Sequence, residues 1–156
     1  MSAESPIEIR IAEPHEAGAI AAIVMAAYAR WVPLLGREPM PMRVDYDKAV
    51  LEHRFDLAVE GGTIVGLIET VPHPDHLWID NVAVAPAAQG RGVGRMLLGF
   101  TEARAIAAGF PELRLVTNGV FESNIALYQR GGFVIDRIED FMNGKAVYMR
   151  KPFHAT

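Results

Sequence analysis

Three glycines in five positions, within the stretch AAQGRGVGRMLL at residues 87–98, constrain the fold of this chain more than any other feature. The apolar run LWIDNVAVA precedes them, and a run with helical spacing follows them. Glycine adopts backbone conformations that other residues avoid, and a glycine turn between a strand and a helix lets the backbone approach another group closely. The sequence therefore predicts a strand–turn–helix unit whose turn can face a ligand.

Such a turn presents backbone N–H groups at a helix N-terminus, which is an anion site suited to phosphates. Neither of two well-known phosphate motifs is present. The nucleotide P-loop requires Lys after its last glycine, but Arg95 follows Gly94. The dinucleotide motif G-x-G-x-x-G, counted from Gly90 and Gly92, needs its third glycine where Arg95 stands. Two interpretations remain: a pyrophosphate bound without a catalytic magnesium ion, or a turn that needs glycine only for its conformation.

The first half of the chain combines helix and strand patterns. Period-two alternation predicts a strand at 7–12, and helical spacing after Pro14 predicts a first helix. A loop rich in Gly and Pro follows, and a second helix is expected from about Asp45. Three apolar runs between residues 55 and 85, separated by Gly61-Gly62 and by the HPDH turn at 73–76, predict a three-strand meander.

The second half continues the alternation. In the helix after the glycine turn, positions 93, 97, 100, 103 and 107 predict the buried face. A strand at 113–118, a short helix ending before Gly131-Gly132, and a final hairpin turning at Asn143-Gly144 complete the chain. We therefore expect a mixed α/β fold, β-α-α-β-β-β-α-β-α-β-β, around a mixed, mostly antiparallel sheet. No linker is evident, so residues 1–156 are interpreted as a single domain.

Composition excludes several classes of function. The chain has no cysteine, which rules out disulfides, thiolate nucleophiles and cysteine-ligated metals and fits a cytoplasmic protein. A net charge of −4 argues against nucleic-acid binding. No apolar run reaches eighteen residues and the start MSAESPIEIR is polar, so we expect neither a signal peptide nor a membrane span.

The stretch Gln89-Gly90-Arg91-Gly92-Val93-Gly94 resembles Q/R-x-x-G-x-G/A, the acetyl-CoA pyrophosphate loop of the GCN5-related N-acetyltransferases, the GNAT superfamily. The segment TNGVFESNIALYQRGGF at 117–133 is similar to the second cofactor segment of that family, and LLGREPMPMRVDY at 34–46 resembles a segment of one bacterial subgroup. The predicted element order also matches the family. The resemblance implies an acetyl-CoA-dependent N-acetyltransferase that acts on a primary amine by direct attack in a ternary complex.

The resemblance also implies roles for individual residues. Backbone groups of the glycine turn would hold the pyrophosphate, the strand before it would lie along the pantetheine arm, and the N–H of Val84 would face the thioester carbonyl. Asn118 and Asn124 could bond the cofactor, although either could instead serve a turn or helix cap. The expected cofactor-binding residues are Val82, Val84, Gln89, Gly90, Arg91, Gly92, Val93, Gly94, Arg95, Asn118 and Asn124.

Acid and base candidates follow from the same resemblance. Tyr128 matches the family's tyrosine that protonates the leaving thiolate, and its alternative role is core packing. Asp80 is the candidate base, because period-two alternation puts it on one face with Val82 and Val84; the alternative is a solvent-facing side chain. Glu69, on the preceding strand, is the reserve candidate.

The acceptor is expected between the first two helices, where Trp31, Arg37 and Arg43 are candidate contacts. Arginines there suit a carboxylate, but Glu38 and Asp45 would suit an amine, and Trp31 could simply pack. His73 and His76 in the HPDH turn lack a third histidine segment, so no metal site is expected. Rival interpretations are a non-catalytic acyl-CoA sensor and transfer of another acyl group or to another acceptor. Family members often form dimers, which composition does not decide.

Overall fold

The computed structural model describes residues 6–153. The strands are β1 Ile7–Ile11, β2 Arg54–Glu60, β3 Thr63–His73, β4 His76–Val84, β5 Glu112–Asn118, β6 Val134–Phe141 and β7 Gly144–Pro152. The helices are α1 Ala17–Tyr28, α2 Val32–Leu35, α3 Tyr46–Glu52, α4 Val93–Ala107 and α5 Glu122–Arg130. Short 3₁₀ turns lie at Pro14–Glu16, Ala29–Trp31, Met40–Arg43 and Pro86–Ala88. The predicted element order is confirmed, with the four-residue α2 as an addition.

Seven strands form one mixed sheet in the order β1-β2-β3-β4-β5-β7-β6. Every neighbouring pair is antiparallel except β4 and β5, which run parallel because helix α4 connects them. In the described part of the chain, β4 and β5 pair only at Leu77–Leu113 and Trp78–Arg114. The two strands continue to Val84 and Asn118 without further pairing, so a gap opens at their carboxyl ends.

Apolar side chains cover both faces of the sheet. Helix α4 packs on one face, where its Val93 and Leu97 join Ile68, Ile79 and Val82 of the strands. Helices α1 and α3 pack on the other face against Phe55, Leu57 and Leu67. Alternation along the strands produces this division, since neighbouring residues such as Leu57 and Ala58 contribute to opposite clusters. The sheet is therefore the middle layer of three, and the gap between β4 and β5 passes through it.

The helical stretch Pro14–Leu35 has the length and the mean hydropathy, 1.6, of a membrane-spanning helix. One such helix is weak support for a membrane span, because the core helix of a soluble protein passes the same test. Here Ile20, Val24 and Tyr28 are buried in the cluster beneath α1 and α3. The absence of a span and of a signal peptide stays a prediction; the signal-peptide argument rests partly on residues 1–5, outside the described residues.

The buried face of α4 differs from the predicted one in its second half. The buried positions include Val93, Leu97, Thr101 and Ala105, whereas Ala103 and Ala107 are exposed. Four-residue spacing continues through a fully buried threonine, which an apolar pattern does not detect. The prediction was wrong there because it followed apolar residues alone.

Candidate active site

The gap between β4 and β5 opens into a cleft of about 420 Å³. Its floor includes Ile79, Val82 and Leu115 from the two separated strands. Polar groups enter the cleft from five elements: Tyr28, Glu69, Asp80, Asn118 and Tyr128. A cleft of this size, apolar with a few polar groups, is typical of a small-molecule site.

Strand β4 presents an open backbone edge to this gap. The Ala85 N–H donates to the Val65 carbonyl at 2.9 Å, and in an antiparallel pair such bonded positions alternate with positions whose backbone groups face away. Val82 and Val84 are positions of the second kind. The side chain of Gln89 donates to the Val84 carbonyl at 3.2 Å, as expected for a group that points away from β3. The N–H groups of Val82 and Val84 therefore face the gap.

The glycine turn begins helix α4 beside this edge. Gly90 and Gly92 have φ angles of 79° and 81°, in the left-handed region that favours glycine. Gly92 is the N-cap of α4, and the first helical hydrogen bond runs from the Met96 N–H to the Gly92 carbonyl at 3.0 Å. The N–H groups of Val93, Gly94 and Arg95 precede that bond, so they are directed out of the helix end. The local geometry is that of an anion site.

Gly94 also fixes how closely α4 and α5 pack. A Cβ added at Gly94 would lie 3.0 Å from Leu127 Cδ2 and 3.7 Å from Val84 Cγ2. A larger residue at Gly94 would require the Leu127 side chain to shift. Leu127 precedes Tyr128, so this contact lies next to the candidate acid in the sequence.

The two arginines of the turn have different surroundings. The Arg91 guanidinium forms an ion pair with Glu60 at the end of β2, and this pairing lowers the pKa of the Glu60 carboxyl. Arg95 is exposed in the first turn of α4. The Arg30 guanidinium approaches the turn from the 3₁₀ turn after α1, donating to Gln89 Oε1 at 3.4 Å and to Ser123 Oγ at 2.9 Å. Arg30 and Arg91 thus bring positive charge to the glycine turn, and Glu60 balances the charge of Arg91.

Tyr128 lies in the cleft and is 5% exposed. Its ring packs at 60° to that of Phe133, with 5.8 Å between centroids. Burial raises the pKa of the Tyr128 hydroxyl above its ordinary value. The hydroxyl is consequently protonated at neutral pH, as a proton donor must be.

A β-bulge corrects the predicted placement of Asp80. Glu69 pairs with Asn81 and Thr70 with Ile79, so Asp80 is the extra residue of β4. The bulge breaks the period-two alternation, and Asp80 does not share a face with Val82, which packs under α4. It lies instead beside Glu69, with the oxygen atoms of Glu69 and Asp80 and a ring nitrogen of His53 all within 4.8 Å of one another.

Glu69 is the buried member of this group and lines the cleft. Its Oε2 lies 2.6 Å from His53 Nδ1. Burial raises the pKa of Glu69 to about 7, the negative charge of Asp80 adds to the increase, and the hydrogen bond from His53 opposes it. A carboxyl with such a pKa can exchange protons near neutral pH.

The sequence did not identify a chain of hydrogen bonds along the other wall of the cleft. The Tyr28 hydroxyl donates to Asn81 Oδ1 at 2.9 Å, and Asn81 Nδ2 donates to the Tyr46 hydroxyl at 3.3 Å. Tyr46 in turn donates to the Pro41 carbonyl at 2.7 Å. These three hydrogen bonds connect α1, β4, α3 and the loop before α3. Two successive polar residues, Asp80 and Asn81, in an apolar strand were the available signal.

The two asparagines differ in their placement. Asn118 lines the cleft, but its Oδ1 accepts from the Val120 N–H at 3.0 Å and so shapes the turn into α5. Asn124 lies one helical turn before Tyr128 and is half-buried. It is not among the residues that line the cleft. The cofactor-binding roles of Asn118 and Asn124 stay predictions.

Of the three predicted acceptor contacts, only Arg37 lines the cleft. Trp31 is buried, with its ring centroid 5.0 Å from that of Phe121. Arg43 is exposed at the end of a 3₁₀ turn. The cleft mouth is formed instead by apolar residues of the 34–46 loop and by the β6–β7 hairpin. These are Pro39, Met40, Pro41, Val44, Phe141 and Tyr148.

The described residues contain two groups of three side chains whose spacing could suit a metal ion. Glu13, His15 and Glu16 form one, and His53, Glu69 and Asp80 form the other. In the HPDH turn, the rings of His73 and His76 stack at 4.6 Å, and Asp75 lies 2.8 Å from His76 Nδ1. The predicted absence of a metal stays a prediction.

Comparison with known proteins agrees with this architecture. Residues 20–133 match the sequence model described as the acetyltransferase (GNAT) family. A mycothiol acetyltransferase from Jonesia denitrificans is 34% identical over 76 residues, covering 47% of this chain and 24% of that protein. The matching region thus corresponds to about a quarter of that relative's length.

Solved structures share the fold. The PaiA N-acetyltransferase of Thermoplasma acidophilum, solved in complex with coenzyme A, has a TM-score of 0.81 at 18% identity, covering 95% of this chain and 99% of that chain. The ribosomal-protein-S18-alanine N-acetyltransferase of Escherichia coli has a TM-score of 0.79 at 21% identity, covering 97% and 96%. At these identities the likeness concerns the fold.

Proposed function

The chain belongs to the GNAT acetyltransferase family, and on that premise we propose that it transfers an acetyl group from acetyl-CoA to a primary amine. The observation that carries the proposal is the junction of three features. The β4 edge is open at Val82 and Val84, the glycine turn follows after a short 3₁₀ turn, and Tyr128 lies in the same cleft. Together they could bind the pyrophosphate, the amide-containing arm and the thioester of acetyl-CoA.

The chain's residues fit a CoA group in two ways. The left-handed Gly90 and Gly92, with the first N–H groups of α4, suit a pyrophosphate. The free N–H groups along β4 suit the amides of a pantetheine arm, which would pair with them as a further strand would. The PaiA N-acetyltransferase, of similar fold, was solved in complex with coenzyme A. This supports a CoA thioester as the group that the site binds.

Val84 and Tyr128 would act on the thioester. The Val84 N–H would donate to the thioester carbonyl oxygen and stabilise the negative charge that develops there. The Tyr128 hydroxyl would give its proton to the departing sulfur. Because its pKa is raised, the hydroxyl stays protonated until the proton is transferred to the sulfur.

An ammonium ion must lose a proton before its nitrogen can attack the thioester. The carboxyl groups of Glu69 and Asp80 would accept that proton. Both line the cleft. Glu69 is favoured as the proton acceptor because it is buried and its pKa is close to neutral pH. Two carboxyl groups also favour a cationic amine over an uncharged alcohol as the acceptor, since they attract the positive charge.

Calorimetric titration of the protein with acetyl-CoA, followed by an amine panel with detection of released CoA thiol, tests the proposal. We expect one-to-one binding at micromolar concentration and thiol release that depends on the amine. Binding without release with any amine would support the sensor interpretation. No binding at millimolar acetyl-CoA would exclude the proposed function.

A further inference from the structure

His53 connects the buried acid of the cleft with a second cavity. It stands between α3 and β2, where it lines an outer pocket of about 520 Å³ that includes Trp78 and Tyr148. Glu69, in contrast, lines the inner cleft, and Asp80 lines both. The His53 side chain is 31% exposed and the Glu69 side chain 3% exposed. Their 2.6 Å contact is thus a link between solvent and the cleft.

The donor in this contact depends on the tautomer of His53 and on the protonation of Glu69. When Glu69 is ionised, its carboxylate can only accept a hydrogen bond, so His53 Nδ1 then carries the proton that faces Glu69 Oε2. A buried carboxylate without such a donor would take up a proton rather than stay charged. The adjacent Asp80 strengthens the tendency of Glu69 to take up a proton, because two neighbouring carboxylates repel each other.

We propose that His53 is a positioning residue, whose Nδ1–H holds the Glu69 side chain as an ionised proton acceptor and leaves its other oxygen for the amine. This inference rests on the proposed function. The step it supports is simple: one N–H bond of the ammonium ion breaks, the proton binds the free Glu69 oxygen, and the nitrogen keeps the electron pair with which it attacks the thioester carbon.

The charges around the pair set the direction of its response. Tyr28, Tyr46 and Asp80 face Glu69. The two tyrosines keep their protons because their pKa is raised, and Asp80 contributes negative charge, so none of the three supplies a positive charge to Glu69. The charged or titratable groups that line the outer pocket with His53 are His73, His76, Asp80, Arg114, Asp136, Arg137, Tyr148 and Arg150. His53 is the side chain that lies within hydrogen-bond distance of Glu69 and can donate to it when Glu69 is ionised. Its removal should therefore raise the pKa of Glu69.

The test compares His53→Leu with His53→Asn, whose amide N–H can replace the Nδ1–H. Protein labelled with ¹³C in its glutamate carboxyl groups is titrated by NMR, and Glu69→Gln assigns the Glu69 signal. His73→Leu, in the same outer pocket, is the matched control. We expect the Glu69 midpoint to rise by about one pH unit or more in His53→Leu, by less in His53→Asn, and to stay unchanged in His73→Leu.

Kinetics supply a second readout. With the best amine of the panel, the acidic limb of the kcat/KM profile should move upward in His53→Leu by the same interval as the NMR midpoint. An unchanged Glu69 midpoint, or an unmoved acidic limb, would overturn the role of His53. Each variant is also titrated with acetyl-CoA. If the wild-type protein did not bind acetyl-CoA, the proposed function itself would be wrong. That result differs from an unchanged Glu69 midpoint, which would contradict only the role of His53.

Discussion

Asp80 and Glu69 place their carboxyl oxygens within 4.8 Å of each other because a β-bulge leaves Asp80 without a partner on β3. A regular strand would have put the two side chains on different faces of the sheet or farther apart. Two carboxyl groups this close do not both ionise easily, and burial adds to the cost for Glu69. The bulge therefore creates a proton-binding pair beside the cleft, with consequences for the pH dependence of the reaction.

The first prediction concerns the pH dependence of the wild-type reaction. Glu69 has a pKa raised to about 7, so below that pH it is protonated and cannot accept a proton. We expect kcat/KM to rise with pH through about 7, and Glu69→Gln to lose that limb and about 100-fold in kcat/KM at pH 8. Deprotonation of the amine itself adds a second rise in both proteins. Steady-state kinetics across pH provide the check, and a limb retained in Glu69→Gln would contradict the assignment.

The second prediction distinguishes Asp80 from Glu69. The negative charge of Asp80 raises the pKa of Glu69, so Asp80→Asn should lower that pKa. We expect the acidic limb to move down by about half a unit to one unit, with less than about a tenfold loss of kcat/KM at pH 8. If Asp80 were the base, as the sequence pattern suggests, the same variant would lose about 100-fold and the limb would disappear.

The third prediction concerns the leaving group. Tyr128→Phe removes the buried hydroxyl and keeps the ring that packs on Phe133. We expect kcat to fall by about 100-fold, with an acetyl-CoA affinity within about twofold of wild type. The control is Tyr148→Phe, another tyrosine of the same cleft, whose ring contacts the Arg137 guanidinium. Equal activities of Tyr128→Phe and Tyr148→Phe would mean that solvent protonates the thiolate.

Local signals in the sequence predicted the fold well. Gly61-Gly62 and the HPDH turn separated the strands of the meander, and Gly90 and Gly92 marked the start of α4. These residues act through backbone conformation, which depends on near neighbours. The buried face of α4 was less predictable. Thr101 lies fully buried within it, and burial of a polar residue depends on which strands the helix crosses.

The site was predictable only in part, because its remaining contacts join distant segments. Tyr28 bonds to Asn81 across 53 positions of sequence, and the position of α1 over the sheet decides that contact. Trp31 was a candidate acceptor contact, but it packs against Phe121 because the first helical stretch continues past it. The bulge at Asp80 had a visible signal in the Asp80-Asn81 pair, which interrupts the alternation of an apolar strand.

The fourth prediction concerns stability. The Arg10 guanidinium donates to both oxygens of Glu16 at 2.8 Å, and this pairing lowers the pKa of Glu16 to about 2. A depressed pKa stabilises the folded state above the ordinary glutamate pKa and loses that effect as pH falls through about 2. We expect Glu16→Gln to lower the free energy of unfolding by about 1 kcal/mol at pH 7. Urea unfolding should show this difference shrinking below pH 4. Glu8→Gln, at an exposed position of β1, is the control and should leave the free energy of unfolding close to that of the wild type.

The last prediction concerns the glycine turn. Gly92 has a φ of 81°, and among the described residues no atom lies within 4 Å of an added Cβ there. A valine would therefore not clash, but it would strain the left-handed backbone by about 1–2 kcal/mol. The turn would relax and redirect the N–H groups that begin α4, so we expect Gly92→Val to weaken acetyl-CoA binding at least about tenfold, a loss of about 1.4 kcal/mol.

Gly99→Val is the matched control for this test. Gly99 lies within α4, has equally open surroundings, and does not need a positive φ. Calorimetry should therefore find a dissociation constant close to wild type for Gly99→Val. Circular dichroism of both variants should retain the wild-type spectrum. The two substitutions add the same side chain, one at the N-cap in the proposed pyrophosphate site and one within α4. Equal affinities would show that the turn does not hold the pyrophosphate.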